Sequence, residues 1–106
     1  MRENNFQASL IRTLKERFPG CVVLKNDPNY IQGIPDLTIF YKKKWAMLEC
    51  KRSVNESHQP NQDYYVERMN SMSFARFIYP ENMEEVLHEL ERSFKTKRAT
   101  RISKPK

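Results

Sequence analysis

Two runs with the alternation of β-strands, DLTIFY at 36–41 and KWAMLECK at 44–51, are separated only by Lys42 and Lys43. A link that short joins antiparallel strands, because a parallel pair needs a crossover of a dozen residues or more. The hairpin sets a register before any other contact is considered. Counted from the turn, Asp36 lies six residues back and Glu49 six forward, so the two carboxylates are expected at the same end of the sheet.

Side chains alternate along a strand. Trp45, Met47, Glu49 and Lys51 therefore share one face of the second run, while Ala46, Leu48 and Cys50 share the other and pack inward. Glu49 and Lys51 project together, about 7 Å apart along the strand. Gly33 and Pro35 set the backbone that delivers Asp36, glycine by permitting close approach and proline by its rigidity. Two carboxylates this close repel, which raises the proton affinity of at least one unless a cation lies between them. Oxygen donors suit a hard ion such as Mg²⁺, with Mn²⁺ as the alternative. Zinc is disfavoured, since His58 and His88 have no partner at ligand spacing. Lys51, beside such an ion, would orient a nucleophilic water or counter negative charge in a transition state. Each residue also has a plainer reading: Asp36 as a turn residue after proline, and Glu49 with Lys51 as an exposed same-face ion pair.

The segments around the hairpin supply a domain. NNFQASLIRTLKERFPG places Phe6, Leu10, Ile11, Leu14 and Phe18 on one helical stripe, ended by Pro19-Gly20. CVVLK reads as a short strand and NDPNYIQGIP as a loop. After the polar RSVNESHQ, Pro60 opens a second helix that carries Tyr65, Met69 and Met72 on one face. ARFIY reads as a fourth strand, closed by Pro80. Asn82 is expected to cap the last helix, with Glu85 three residues on and Met83, Val86, Leu87, Leu90 and Phe94 as its buried stripe. The order αβββαβα predicts an α/β fold, a central mixed sheet flanked by helices.

Charge divides the chain unevenly. Residues 92–106 hold seven of the 19 Lys and Arg and none of the 13 acids, whereas residues 1–91 are close to neutral. The reading is a domain at 1–91 and a basic tail at 92–106 suited to a polyanion. The N-terminal MRENNFQASL lacks the apolar stretch of a signal peptide, and no apolar run approaches a membrane span. A cytoplasmic protein that does not engage a membrane is therefore expected. Cys21 and Cys50 show neither a disulfide framework nor C-x-x-C spacing, and read as small buried apolar residues.

Gly33-Ile34-Pro35-Asp36, then twelve residues, then Glu49-Cys50-Lys51 resembles the PD-(D/E)XK nuclease signature. The αβββαβ order is similar to that superfamily's restriction-endonuclease-like core. Pro60-Asn61-Gln62 resembles the downstream glutamine motif of the VRR-NUC branch, small nucleases often found in phages. Glu3, four residues before Gln7, resembles the acidic residue on that family's first helix. The resemblance spans residues 3 to about 90. It implies that Asp36, Glu49 and the backbone carbonyl of Cys50 bind the metal, that Lys51 assists the water, and that Gln62 and Glu3 support the site. Cys50 stands where these nucleases more often have a β-branched residue.

The resemblance further implies a metal-dependent endonuclease that hydrolyses DNA phosphodiester bonds, selective for branched, flapped or nicked DNA. A homodimer and a host-cytoplasmic location, if a phage encodes the chain, belong to the same expectation. A Holliday-junction resolvase of the same superfamily and a non-catalytic DNA-binding module using the basic tail are the alternatives. Expected DNA contacts are Lys25, Lys42, Lys43, Lys44 and Arg52 around the site, Tyr30 as a base-stacking ring, and Lys95, Lys97, Arg98 and Arg101 in the tail.

Overall fold

The two-residue turn closes the hairpin in the expected register. The computed structural model, which describes residues 3–96, pairs β2 (Leu37–Tyr41) with β3 (Lys44–Cys50) antiparallel, Leu37 opposite Leu48 and Tyr41 opposite Lys44. Lys42 has φ of 58°, the left-handed conformation that tight hairpin turns use to match strand twist. β1 (Val22–Lys25) lies antiparallel on the outer edge of β2, and β4 (Phe74–Ile78) pairs parallel with β3. The sheet is mixed and four-stranded, in the order β1-β2-β3-β4. Parallel pairing of β3 and β4 demands a crossover, and α2 (Pro60–Met72) provides it, with Pro60 in its first turn. α1 (Glu3–Arg17) precedes the sheet, and α3 (Met83–Lys95) follows a 3₁₀ turn at Pro80–Asn82.

The helices take opposite faces of the sheet. Ala46, Leu48 and Cys50 join Leu37, Ile39, Phe74 and Ile78 in a core that also holds the apolar stripes of α1 and α3. The other face of β3 and β4 is crossed by α2, whose buried residue is Val66. Tyr65 and Met69 are only half-buried and Met72 is 46% exposed, so the expected α2 stripe is displaced by one residue. The reason lies in the contact face: α2 turns Gln62 and Val66, four residues apart on one side, toward the sheet.

Two further expectations change. Asn82 stands at the N-cap of α3 but makes no side-chain bond to the helix; its side chain accepts from Tyr79 N–H and donates to the Phe77 carbonyl, closing the 3₁₀ turn against the end of β4. The packed domain also runs past residue 91, because α3 continues to Lys95 and Phe94 is buried in the core. Phe94 meets Phe18 edge to face at 5.2 Å and Tyr41 at 5.4 Å, tying the end of α3 to the hairpin turn. Among the described residues, no helix is long and apolar enough to cross a membrane.

Phe94→Ala is expected to lower stability by about 3–5 kcal/mol in urea unfolding, the range for emptying a buried aromatic site. Met72→Ala should change it far less.

Candidate functional site

Carrying the β2–β3 register one step beyond Leu37 and Leu48 brings Asp36 opposite Glu49. There the ladder continues through a side chain: Cys50 N–H donates to Asp36 Oδ2 at 2.9 Å. This bond holds the Asp36 carboxylate against the segment that carries Glu49 and Lys51. Both of those residues are 3% exposed, which removes the reading of an exposed surface ion pair.

Lys51 is held from two sides. Its backbone N–H donates to the Ile78 carbonyl at 2.9 Å, extending the β3–β4 alignment. Its Nζ donates to Gln62 Oε1 at 2.7 Å and to the Ser57 carbonyl at 3.0 Å. Gln62 Oε1 accepts a second bond from the Gln59 N–H at 3.0 Å, so one oxygen links the lysine to the opening turn of α2. Because both partners are donors, the amide orientation of Gln62 follows from its bonds.

Asp36 has its proton affinity raised, chiefly by burial. The Cys50 N–H and the Lys51 charge pull the other way, and the Glu56 carboxylate adds to the rise. Burial therefore wins over the hydrogen bond and the cation together. A carboxyl whose folded pKa is raised stabilises the fold in its protonated form, an advantage that is complete at low pH and lost as pH climbs through that raised value.

The Asp36 loop and the Gln62 turn are packed against each other at a glycine. Gly33 has φ of +92°, and a Cβ there would lie 2.4 Å from Asn61 Cβ and 2.8 Å from its backbone carbon. Only glycine fits this position without displacing α2. Asn26 braces the same loop from the edge strand, donating its side-chain amide to Pro35 O at 2.9 Å and Thr38 Oγ1 at 2.8 Å. Its backbone N–H donates to Asp36 O at 2.8 Å.

The structure thus gathers Asp36, Glu49, Cys50, Lys51 and Gln62 at one end of the sheet. Other expected contacts are placed elsewhere. Lys42 and Lys43 form the hairpin turn, about 20 Å along the strands from Asp36 and Glu49. Lys44 is at that far end too, where its Nζ donates to the carbonyls of Ser93 and Phe94 at the C-terminus of α3. Lys95, paired with Glu91, shares this location, so these lysines do not surround the acidic residues. Lys25, opposite Leu37, and Arg52, following Lys51, do lie near the site, and Tyr30 is on the loop leading to Asp36. α1 begins at Glu3, and nothing of that side chain is described. Lys97, Arg98 and Arg101 fall outside the described residues.

The donor set fits a hard cation: two carboxylates on adjacent strands, one of them hard to ionise where it stands. Among the described residues no three His, Cys, Asp or Glu side chains gather at ligand range, so an ion here would complete its shell with the Cys50 carbonyl and water. His58 and His88 stay out of the set. His58 instead stacks on Phe77 at 3.8 Å and bonds Asp63 through Nδ1 at 2.9 Å.

No family model matches the chain. No curated protein matches it either. A solved structure described as a VRR_NUC domain superposes on it with a TM-score of 0.59 at 24% identity, covering 79% of this chain and 92% of that one. The chain has a VRR_NUC-like fold. The four-stranded mixed sheet with three helices agrees with the restriction-endonuclease-like core.

Within this VRR_NUC-like fold, three supporting groups carried no local signal: Asn26, the Ser57 carbonyl and Glu56. Asn26 sits in a turn-rich segment, where an asparagine ordinarily bonds its own loop. Its reach across to Pro35 exists only once β1 has paired with β2.

Gly33→Ala is expected to destabilise the protein by about 1–3 kcal/mol or more. Gly20→Ala, which shares the positive φ but meets nothing within 4 Å, should lose less. Asp36→Asn should stabilise the metal-free protein at pH 7 in urea unfolding, because the raised proton affinity of the wild-type carboxyl costs the fold stability as pH rises. The gain should vanish as pH falls below the ordinary Asp range, where the wild-type group is protonated in both states.

Proposed function

We propose that this protein is a divalent-metal-dependent endonuclease that hydrolyses DNA phosphodiester bonds. The observation that carries the reading is the convergence of Asp36, buried Glu49 and the Gln62-held Lys51 at one sheet end. The VRR_NUC-like fold supports it. Asp36, Glu49 and the Cys50 carbonyl would hold Mg²⁺ or Mn²⁺. When bound, the ion supplies a water of lowered pKa and positive charge at the scissile phosphate.

The chain's own residues prepare the rest. Two of the three N–H donors of Lys51 are taken by Gln62 and Ser57, which aims the third and fixes the ammonium in place. That donor serves the attacking water or a phosphate oxygen in which charge develops. Gln62 is a neutral acceptor, so it orients Lys51 without cancelling its charge. Lys25 and Arg52 offset the repulsion between the acidic site and DNA, although Arg52 is shared with Glu56 at 3.6 Å.

Branched, flapped or nicked DNA is the proposed substrate class. The site lies at one end of a small sheet, after the loop that carries the 84% exposed Tyr30, and that exposed loop is what supports the substrate class. A homodimer presenting two such sites to two strands belongs to the same proposal.

The test uses labelled duplex, single-stranded, flapped and four-way DNA with Mg²⁺, Mn²⁺ or chelator. Wild-type protein should cut at least one branched or flapped substrate with metal and none with chelator. Lys51→Ala and Asp36→Asn should each reduce cutting by about 10²-fold or more, and Gln62→Ala, which acts through Lys51, by about 10–100-fold. Failure of wild-type protein to cut any substrate with either metal would overturn the proposal.

A further inference from the structure

We infer that the groove beside the loop preceding Asp36 binds a single unpaired nucleobase adjacent to the phosphate being cut, an inference that rests on the nuclease reading. The groove has a volume of about 430 Å³ and is lined by Asn26, Asp27, Tyr30, Ile31, Ile34 and Met47. That volume lies within the range of small-molecule sites.

Its position ties it to the acidic residues. Met47 precedes Glu49 by two residues on the same face of β3, about 7 Å along the strand, and Ile34 precedes Asp36 by two. Asn26, in the groove wall, is bonded to Pro35 O and, through its N–H, to Asp36 O. Groove and carboxylates are therefore parts of one braced unit. Stacked nucleotides advance about 3.4 Å along a strand. A 7 Å offset is about twice that, so a base in the groove would lie within one or two nucleotides of a phosphate at the carboxylates.

Its chemistry selects a base over a phosphate. Ile31, Ile34 and Met47 give apolar walls, and Tyr30 adds an aromatic ring that is 84% exposed. No lysine or arginine is among the six lining residues, and the Asp27 carboxylate repels a phosphate. A flat, uncharged, polarisable group is what these walls accommodate, and base–aromatic stacking is the matching interaction. The loop is braced for the purpose: Asp27 Oδ1 accepts the Asn29 N–H at 2.8 Å, the Asp27 carbonyl accepts the Tyr30 N–H at 3.1 Å, and Ile34 N–H donates to Ile31 O at 3.2 Å. A base inside a duplex has both faces covered by its neighbours and does not enter. Flaps, frayed ends and branch points offer bases that do, which gives structure selectivity a physical source.

Binding without cleavage tests this. Fluorescence anisotropy in chelator compares single-stranded and fully paired oligonucleotides of equal length for wild type, Tyr30→Ala, Tyr30→Phe and Tyr64→Ala, with circular dichroism to verify folding. Tyr30→Ala should lose about tenfold in affinity for unpaired DNA and much less for paired DNA. Tyr30→Phe, which keeps the ring, and Tyr64→Ala, which removes an exposed tyrosine outside the groove, should retain the wild-type preference. An unchanged ratio of unpaired to paired affinity in folded Tyr30→Ala would overturn the inference, even in an active nuclease. A wild-type protein that prefers unpaired DNA through Tyr30 yet cuts nothing would sink the nuclease reading and leave the base site standing.

Discussion

The pairing of β2 with β3 in one register is the constraint on which the rest depends. A slip by one residue would turn Glu49 and Lys51 into the core beside α1 and α3 and send Leu48 and Cys50 toward α2. The short turn limits the choice, with Lys42 taking the left-handed conformation it requires. Burial of Leu37, Ile39, Ala46, Leu48 and Cys50 then selects the observed alignment, since each loses its core position in any other. The Asp36–Cys50 bond is the last rung of this ladder, made by a side chain in place of a peptide.

Placing ionisable groups at that end is unfavourable for the fold. Lys51 and Glu49 are almost fully removed from water, and burying such groups costs free energy unless partners replace the solvent. For Lys51 the hydrogen-bond partners are oxygens without formal charge, from Gln62 and Ser57, which orient its side chain. For Asp36 a single backbone N–H and the lysine do not outweigh desolvation. Burial therefore leaves the Asp36 carboxyl with a raised proton affinity where it stands.

The two ends of the sheet do different work. At the turn end, Phe18, Tyr41 and Phe94 form an aromatic cluster and Lys44 bonds the last carbonyls of α3. At the open end, Gly33 presses its loop onto Asn61, which brings the segment carrying Asp36 and the helix carrying Gln62 into one unit. Lys42, Lys43 and Lys44, expected to contact phosphates, stand at the first end, where Lys44 bonds the last carbonyls of α3.

The sequence by itself determined the element order, the hairpin and the meeting of Asp36 with Glu49, because a two-residue turn and a period of two leave little freedom. The phases of α1 and α3 were legible for a similar reason: their apolar stripes recur at helical spacing. The α2 face was not, since its few apolar residues compete with Gln62 for the sheet and only packing chose Val66. Nor was the boundary at residue 91, which followed charge composition while Phe94 followed burial. Tertiary structure alone decided that Lys51 is buried and held by Gln62, that Asn26 braces the Asp36 loop, and that Lys44 bonds the end of α3. Those are contacts between residues far apart in the chain, and their distances depend on how helices and strands pack in three dimensions, which local periodicity does not encode.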